Sequence, residues 1–198
     1  PWSTPARWSM GLLHPEDWQA EWIGHDAKRT TRSREAPFQG SYWICHSDDD
    51  PQQVPKGDRY FVKRFEIPEN ARIEDAEVLA VGDDKIWLSI NGKFVLSAEV
   101  GWKTVKPASA TEVLQPGQNE IRMRLKNSSV GPSALLVRLT VSTDDGKQQV
   151  VVSDDSWLSG ELDIDYWPYQ KLDDSKLKPA QEVGKYGRKP WGTCQLEA

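Results

Sequence analysis

The chain has 198 residues, a net charge of −5, 37% hydrophobic and 28% charged residues, enough for one large β-domain or one domain with extensions. Nucleic-acid binding needs a basic face, which this balance does not supply. No apolar stretch approaches the length of a membrane span.

Ten tryptophans are the unusual feature. They serve either to fill a core and pin loops or, on the surface, as flat platforms for sugar rings. Cys45 and Cys194 are the only cysteines. They lack metal-ligand spacing, and two readings stay open: a disulfide joining the chain's ends in an exported protein, or two free thiols. The sequence opens at Pro1 without a signal-peptide pattern, which reads as mature protein or a piece of a longer chain.

In chain order, residues 1–24 form an apolar-rich lead-in expected to pack on the domain, with one helical turn at Pro15-Glu16-Asp17-Trp18. Lys28 to Glu35 is a basic, polar loop, or a site for phosphate or sulfated glycan. Tyr42-Trp43-Ile44 is a short strand. Asp48-Asp49-Asp50 is a solvated acidic loop, or a calcium loop without the EF-hand pattern. Arg59 to Pro68 alternates as a strand, with Phe61, Phe65 and Ile67 on one face. Val78 to Val95 contains two strand-like runs around Gly82-Asp83-Asp84, and Ile86, Leu88 and Ile90 carry the period of two. Asn91-Gly92 closes a hairpin because both residues tolerate positive φ. The Asp83-Asp84 corner is an ordinary turn, or a seat for a hard cation on oxygen ligands.

Trp102 follows Gly101 in a predicted loop and is the best candidate for an exposed aromatic. Pro116-Gly117 turns into a strand that buries Ile121, Met123 and Leu125 and ends at Asn127. Leu135 to Val141 alternates again, turns at Asp144-Asp145-Gly146-Lys147 and pairs back through Gln149 to Val152. Asp154-Asp155-Ser156-Trp157 closes this core sequence. Residues 161–198 form a C-terminal extension or connector whose Trp167, Tyr169, Tyr186 and Trp191 predict ordered packing. No helix of ordinary length is signalled, and the strand spacing predicts an all-β antiparallel sandwich over residues 25–160.

Three stretches together resemble a known domain. They are Ala80-Val81-Gly82-Asp83-Asp84-Lys85-Ile86-Trp87-Leu88-Ser89-Ile90-Asn91-Gly92-Lys93, Leu114 to Asn127, and Asp154-Asp155-Ser156-Trp157. The run from Ala6 to Gly24 looks like the same domain's lead-in. The resemblance is to the N-terminal jelly-roll domain of bacterial α-L-rhamnosidases, some of which serve as rhamnose-binding modules. It implies a jelly-roll-like sandwich with N- and C-terminal extensions in an extracellular or periplasmic protein. Its partners would be a rhamnose-containing glycan and the catalytic domain of a parent protein. It further implies a calcium ion held by Asp83, Asp84, Asn127 and a carbonyl near Pro132, with Trp102 as the stacking face. Asp84 departs from the asparagine expected at its position.

The residues give no support for catalysis. No acidic pair sits in a motif that argues for a pocket. His14, His25 and His46 lie in loop contexts and are expected to be solvated. Neither a phosphate loop nor a zinc-spaced thiol pair is present. A non-catalytic carbohydrate-binding module is therefore expected, with a ligand-free structural accessory domain as the alternative.

Overall fold

A computed structural model describes residues 36–99, 101–161 and 173–197. The chain divides into two units, Pro1–Arg32 and Ser33–Ala198, and all described residues belong to the second. The lead-in at 1–24, the basic loop at 28–35, His14, His25, Trp167 and Tyr169 lie outside the described residues.

Among the described residues fourteen strands follow one another: β1 (Tyr42–Cys45), β2 (Gly57–Ile67), β3 (Ile73–Gly82), β4 (Lys85–Ile90), β5 (Lys93–Ala98), β6 (Thr104–Val105), β7 (Ala108–Ser109), β8 (Gly117–Asn127), β9 (Leu135–Thr143), β10 (Gln148–Val152), β11 (Leu158–Glu161), β12 (Lys178–Pro179), β13 (Gln181–Lys185) and β14 (Gln195–Leu196). Only short 3-10 turns, at Thr111–Val113 and Asp174–Lys176, interrupt them among the described residues. One antiparallel sheet runs β13-β1-β9-β3-β7, with β10 also on β9. The other runs β12-β11-β2-β8-β4-β5. The architecture is an all-β, jelly-roll-like antiparallel sandwich.

Side-chain parity builds the space between the sheets. Ile121, Met123 and Leu125 of β8 and Ile86, Leu88 and Ile90 of β4 point inward from one sheet. Leu135, Val137, Leu139 and Val141 of β9 meet them from the other, with Trp157 buried among them. The Asn91-Gly92 hairpin forms as predicted, with φ of 50° and 76° at its two residues.

The first sheet is buried on both faces. Leu79 and Val81 of β3, Leu136 of β9, and Trp43 and Cys45 of β1 have the opposite parity and enter a second cluster. Val183, Trp191 and Cys194 close it from the C-terminal stretch. The region expected as an extension or connector thus supplies β12, β13 and β14. The predicted loop around Trp102 contains β6, which pairs in parallel with β14.

Two expectations for polar residues are corrected. Asp49 is not solvated: its carboxylate receives two 2.8 Å hydrogen bonds from Arg59, and its side chain is 6% exposed. His46 is also buried. The end-joining disulfide is absent, for Cys45 and Cys194 are both buried free thiols, surrounded by the apolar side chains of the second cluster.

Candidate functional site

The acidic corner sits where β3 leaves one sheet and β4 enters the other. Gly82 is required there by close packing, because a Cβ would collide with Ile86 Cγ2 and lie 3.0 Å from Leu125 Cδ1. The next two residues are joined by a cis peptide. Their backbone is pinned from both sides: Asp83 N–H donates to the Ala134 carbonyl at 3.0 Å and Asp84 N–H to the Lys126 carbonyl at 3.2 Å. Ser133 Oγ donates to the Asp83 carbonyl.

Each carboxylate is held by one oxygen. Trp191 Nε1 donates to Asp83 Oδ2 at 2.9 Å, and the Ser128 backbone N–H donates to Asp84 Oδ2 at 2.8 Å. Burial pushes the Asp83 carboxyl up to about 6, and the neighbouring Asp84 adds to the rise while the Trp191 bond opposes it. Asp84 is held below the usual carboxylate range by the Ser128 N–H and by Asp83, against its own burial. With Asp83 raised only to about 6 and Asp84 lowered, both groups carry charge at neutral pH, which gives the corner two adjacent negative charges.

Asn127 ends β8 beside the corner and is 5% exposed. Its Nδ2 donates to the carbonyls of Val54, at 2.8 Å, and Pro55, at 3.2 Å. Both amide hydrogens are therefore engaged, and the amide oxygen is the end that remains for another ligand. Pro132 is exposed, one residue before Ser133.

Trp102 is not the exposed platform expected of it. It is half-buried against the second cluster, and its Nε1 donates to the Trp191 carbonyl at 2.8 Å. All five described tryptophans are buried or half-buried. Trp191 is the residue that sequence reasoning missed. Its indole stacks on Trp43, with centroids 4.6 Å apart, and its N–H reaches Asp83. Its sequence context, Lys189-Pro190-Trp191-Gly192, signals only a turn, and nothing local pairs it with a residue 108 positions earlier.

A cation at this corner would meet two carboxylates and take its other ligands from neutral oxygens, a kind of donor set that calcium accepts in flexible geometry. Among the described residues, no group of three or more His, Cys, Asp or Glu that could hold a metal ion is found. Two hollows, one of about 440 Å³ floored by Arg64 and Glu120 and one beside Asp144 and Asp145, lie elsewhere. A Ser–His–Asp juxtaposition also forms. Ser159 Oγ lies 2.9 Å from His46 Nδ1, and Asp48 lies 3.8 Å from Nε2. Ser159 has no exposed surface, so no substrate reaches it.

The chain is 28% identical over 200 aligned residues to an α-L-rhamnosidase of Streptomyces avermitilis, covering 96% of this chain and 19% of that protein. The likeness is to a rhamnosidase-associated β-domain. An α-L-rhamnosidase of Formosa agariphila is 23% identical, over 91% of this chain and 22% of that protein. The chain therefore spans about a fifth of the length of the curated relatives it matches. The crystal structure of the Streptomyces avermitilis enzyme complexed with L-rhamnose matches with a TM-score of 0.73 and 25% identity, covering 95% of this chain and 18% of that one. A lectin from Pleurotus ostreatus in complex with GalNAc matches with a TM-score of 0.70 and 25% identity, over 82% of this chain and 47% of that one. No protein-family model matches the chain.

Proposed function

We propose that the chain is a non-catalytic carbohydrate-binding module of an α-L-rhamnosidase-like, polysaccharide-degrading protein, and that it binds a deoxyhexose such as rhamnose through calcium. The observation that carries this is the pair of adjacent carboxylates at the β3–β4 corner, each fixed by a separate N–H donor. Asp83, Asp84, the Asn127 amide oxygen and a carbonyl near Pro132 would hold the ion. Bound calcium supplies coordination positions for two vicinal sugar hydroxyls, which protein groups alone gain little by desolvating. Trp191 orients Asp83, and the Ser128 N–H orients Asp84. The likenesses to a rhamnosidase and a lectin support sugar binding. The glycosidase relatives also support a location outside the cell or in the periplasm. Among the described residues, no helix is long and apolar enough to cross a membrane.

The test is calorimetric titration with L-rhamnose and L-fucose in calcium and then in EDTA. Calcium-dependent heat that disappears in Asp83→Ala supports the module. The expected affinity is weak, high micromolar to millimolar, or roughly −4 to −6 kcal/mol. The chain should leave an aryl rhamnoside unhydrolysed.

A structural accessory domain with no ligand is the second reading. It is favoured by Trp102, which is half-buried and tied to the Trp191 carbonyl. Absence of heat with both sugars, together with no thermal stabilisation by calcium, would leave this reading standing.

A further inference from the structure

Asn91-Gly92 is the chain's only Asn-Gly step, and its side-chain amide does more than close a turn. Asn91 is half-buried just past the end of β4, and three hydrogen bonds hold its amide. Nδ2 donates to the Val113 carbonyl at 2.9 Å and to Asn119 Oδ1 at 2.8 Å. Oδ1 accepts from the Glu120 backbone N–H at 2.9 Å. Asn119 is 2% exposed and is itself fixed. Its Oδ1 also accepts from the Gln115 N–H at 3.0 Å, and its Nδ2 donates to the carbonyls of Gln115 at 2.7 Å and Gly117 at 3.0 Å. The Asn91 amide thus ties the β4–β5 hairpin to the start of β8 and to the turn at Thr111–Val113.

Asparagine before glycine is also open to intramolecular attack, since glycine has no Cβ to shield its nitrogen. The Gly92 nitrogen attacks Asn91 Cγ. The N–Cγ bond forms, the Cγ–Nδ2 bond breaks, and Nδ2 leaves as ammonia with the proton from Gly92. Water then opens the cyclic imide at either carbonyl, giving aspartate or isoaspartate. In the folded chain Cγ reaches that nitrogen only when the three bonds break. The product has no amide hydrogens for Val113 and Asn119, and it sets a negative charge against two acceptor oxygens. Asn119 cannot turn its amide over to compensate without setting its own oxygen against the Gln115 carbonyl. We propose that Asn91 is a deamidation site governed by folding. It is protected in the native chain, consumed in the unfolded chain, and unable once modified to rebuild this junction.

The test holds wild type in mildly alkaline buffer with and without urea. The tryptic peptide Ile86–Lys93, whose one asparagine is Asn91, is followed by mass spectrometry. Its conversion to the acid should be slower in the folded chain by on the order of a hundredfold, as expected for an opening that breaks three hydrogen bonds. In urea Asn91 should convert before Asn70, Asn119 and Asn127, and Gly92→Ala should slow it there, where the fold plays no part. Asn91→Asp, which makes the product directly, should unfold at a lower urea midpoint than wild type at neutral pH. The conversion rates come from the wild-type chain, so they decide the matter even if Asn91→Asp does not fold. Equal conversion with and without urea, faster conversion of another asparagine in urea, or a wild-type midpoint in Asn91→Asp each overturns the assignment.

Discussion

Two buried polar residues show how single side chains shape the site and the scaffold. Trp191 both stacks on Trp43 and donates to Asp83. Trp191→Phe keeps much of the stack and removes the donor. We expect it to cost about 1 kcal/mol of stability, the usual worth of such a bond, and to weaken calcium binding severalfold, as read by urea unfolding and calcium titration. His46 faces Ser159, with Asp48, Asp49 and Arg59 around it. Burial is the main cause that holds its pKa below the ordinary 6.5, and the Arg59 charge adds to it against Asp49 and Asp48. The folded state then binds fewer protons than the unfolded state below that value, so stability is full above about pH 6.5 and declines as pH falls through the folded pKa. Melting temperatures from pH 8 to 5 should fall on the acid side, and His46→Gln should flatten that slope. Neither role was legible in the sequence. Asp49 and His46 lie in a stretch with loop composition, and their burial depends on Arg59 of β2 and Ser159 of β11. The Asp83-Asp84 corner could be located from its turn and flanking strands, but its tie to Trp191 spans 108 positions.

At the scale of elements, the period of two carried most of the information. β8 buries Ile121, Met123 and Leu125, and β4 buries Ile86, Leu88 and Ile90, as the alternation predicts. β9 and β10 form their hairpin in the expected place. The two-residue strands β6, β7, β12 and β14 were not legible, because a pair of residues has no period and its pairing partner is set by tertiary packing. The junction of β3 and β4 tests the packing directly. Gly82→Ala places a Cβ against Ile86 and Leu125. It should destabilise the fold by about 1–3 kcal/mol, as overpacking does in a close-packed core. A lower urea midpoint with an unchanged slope would agree; an unchanged midpoint would show that β4 shifts freely.

At the scale of the fold, the described residues form two apolar clusters separated by one sheet. The second escapes a reading based on alternation, since Leu79, Val81 and Leu136 fall on what should be a solvent face. What covers that face is the C-terminal stretch, whose own sequence has little periodicity. Cys45 and Cys194 lie in this second cluster, and burial pushes both thiols up to about 12. Both should therefore resist alkylation at neutral pH until the chain unfolds; rapid labelling of folded protein would show that the C-terminal stretch opens. The same stretch brings Trp191 to Asp83, so the covering of the second cluster and the arrangement of the acidic corner are one construction.

Calcium at Asp83 and Asp84 is our proposal, and the Trp191 indole N–H, bonded to Asp83 Oδ2, would report on it directly. Its nuclear magnetic resonance signal is identified by its loss in Trp191→Phe. Titrating the wild-type chain with calcium should shift that resonance in a saturable way, and Asp83→Ala should abolish the shift. If the resonance stays in place up to millimolar calcium, the acidic corner is not a calcium site.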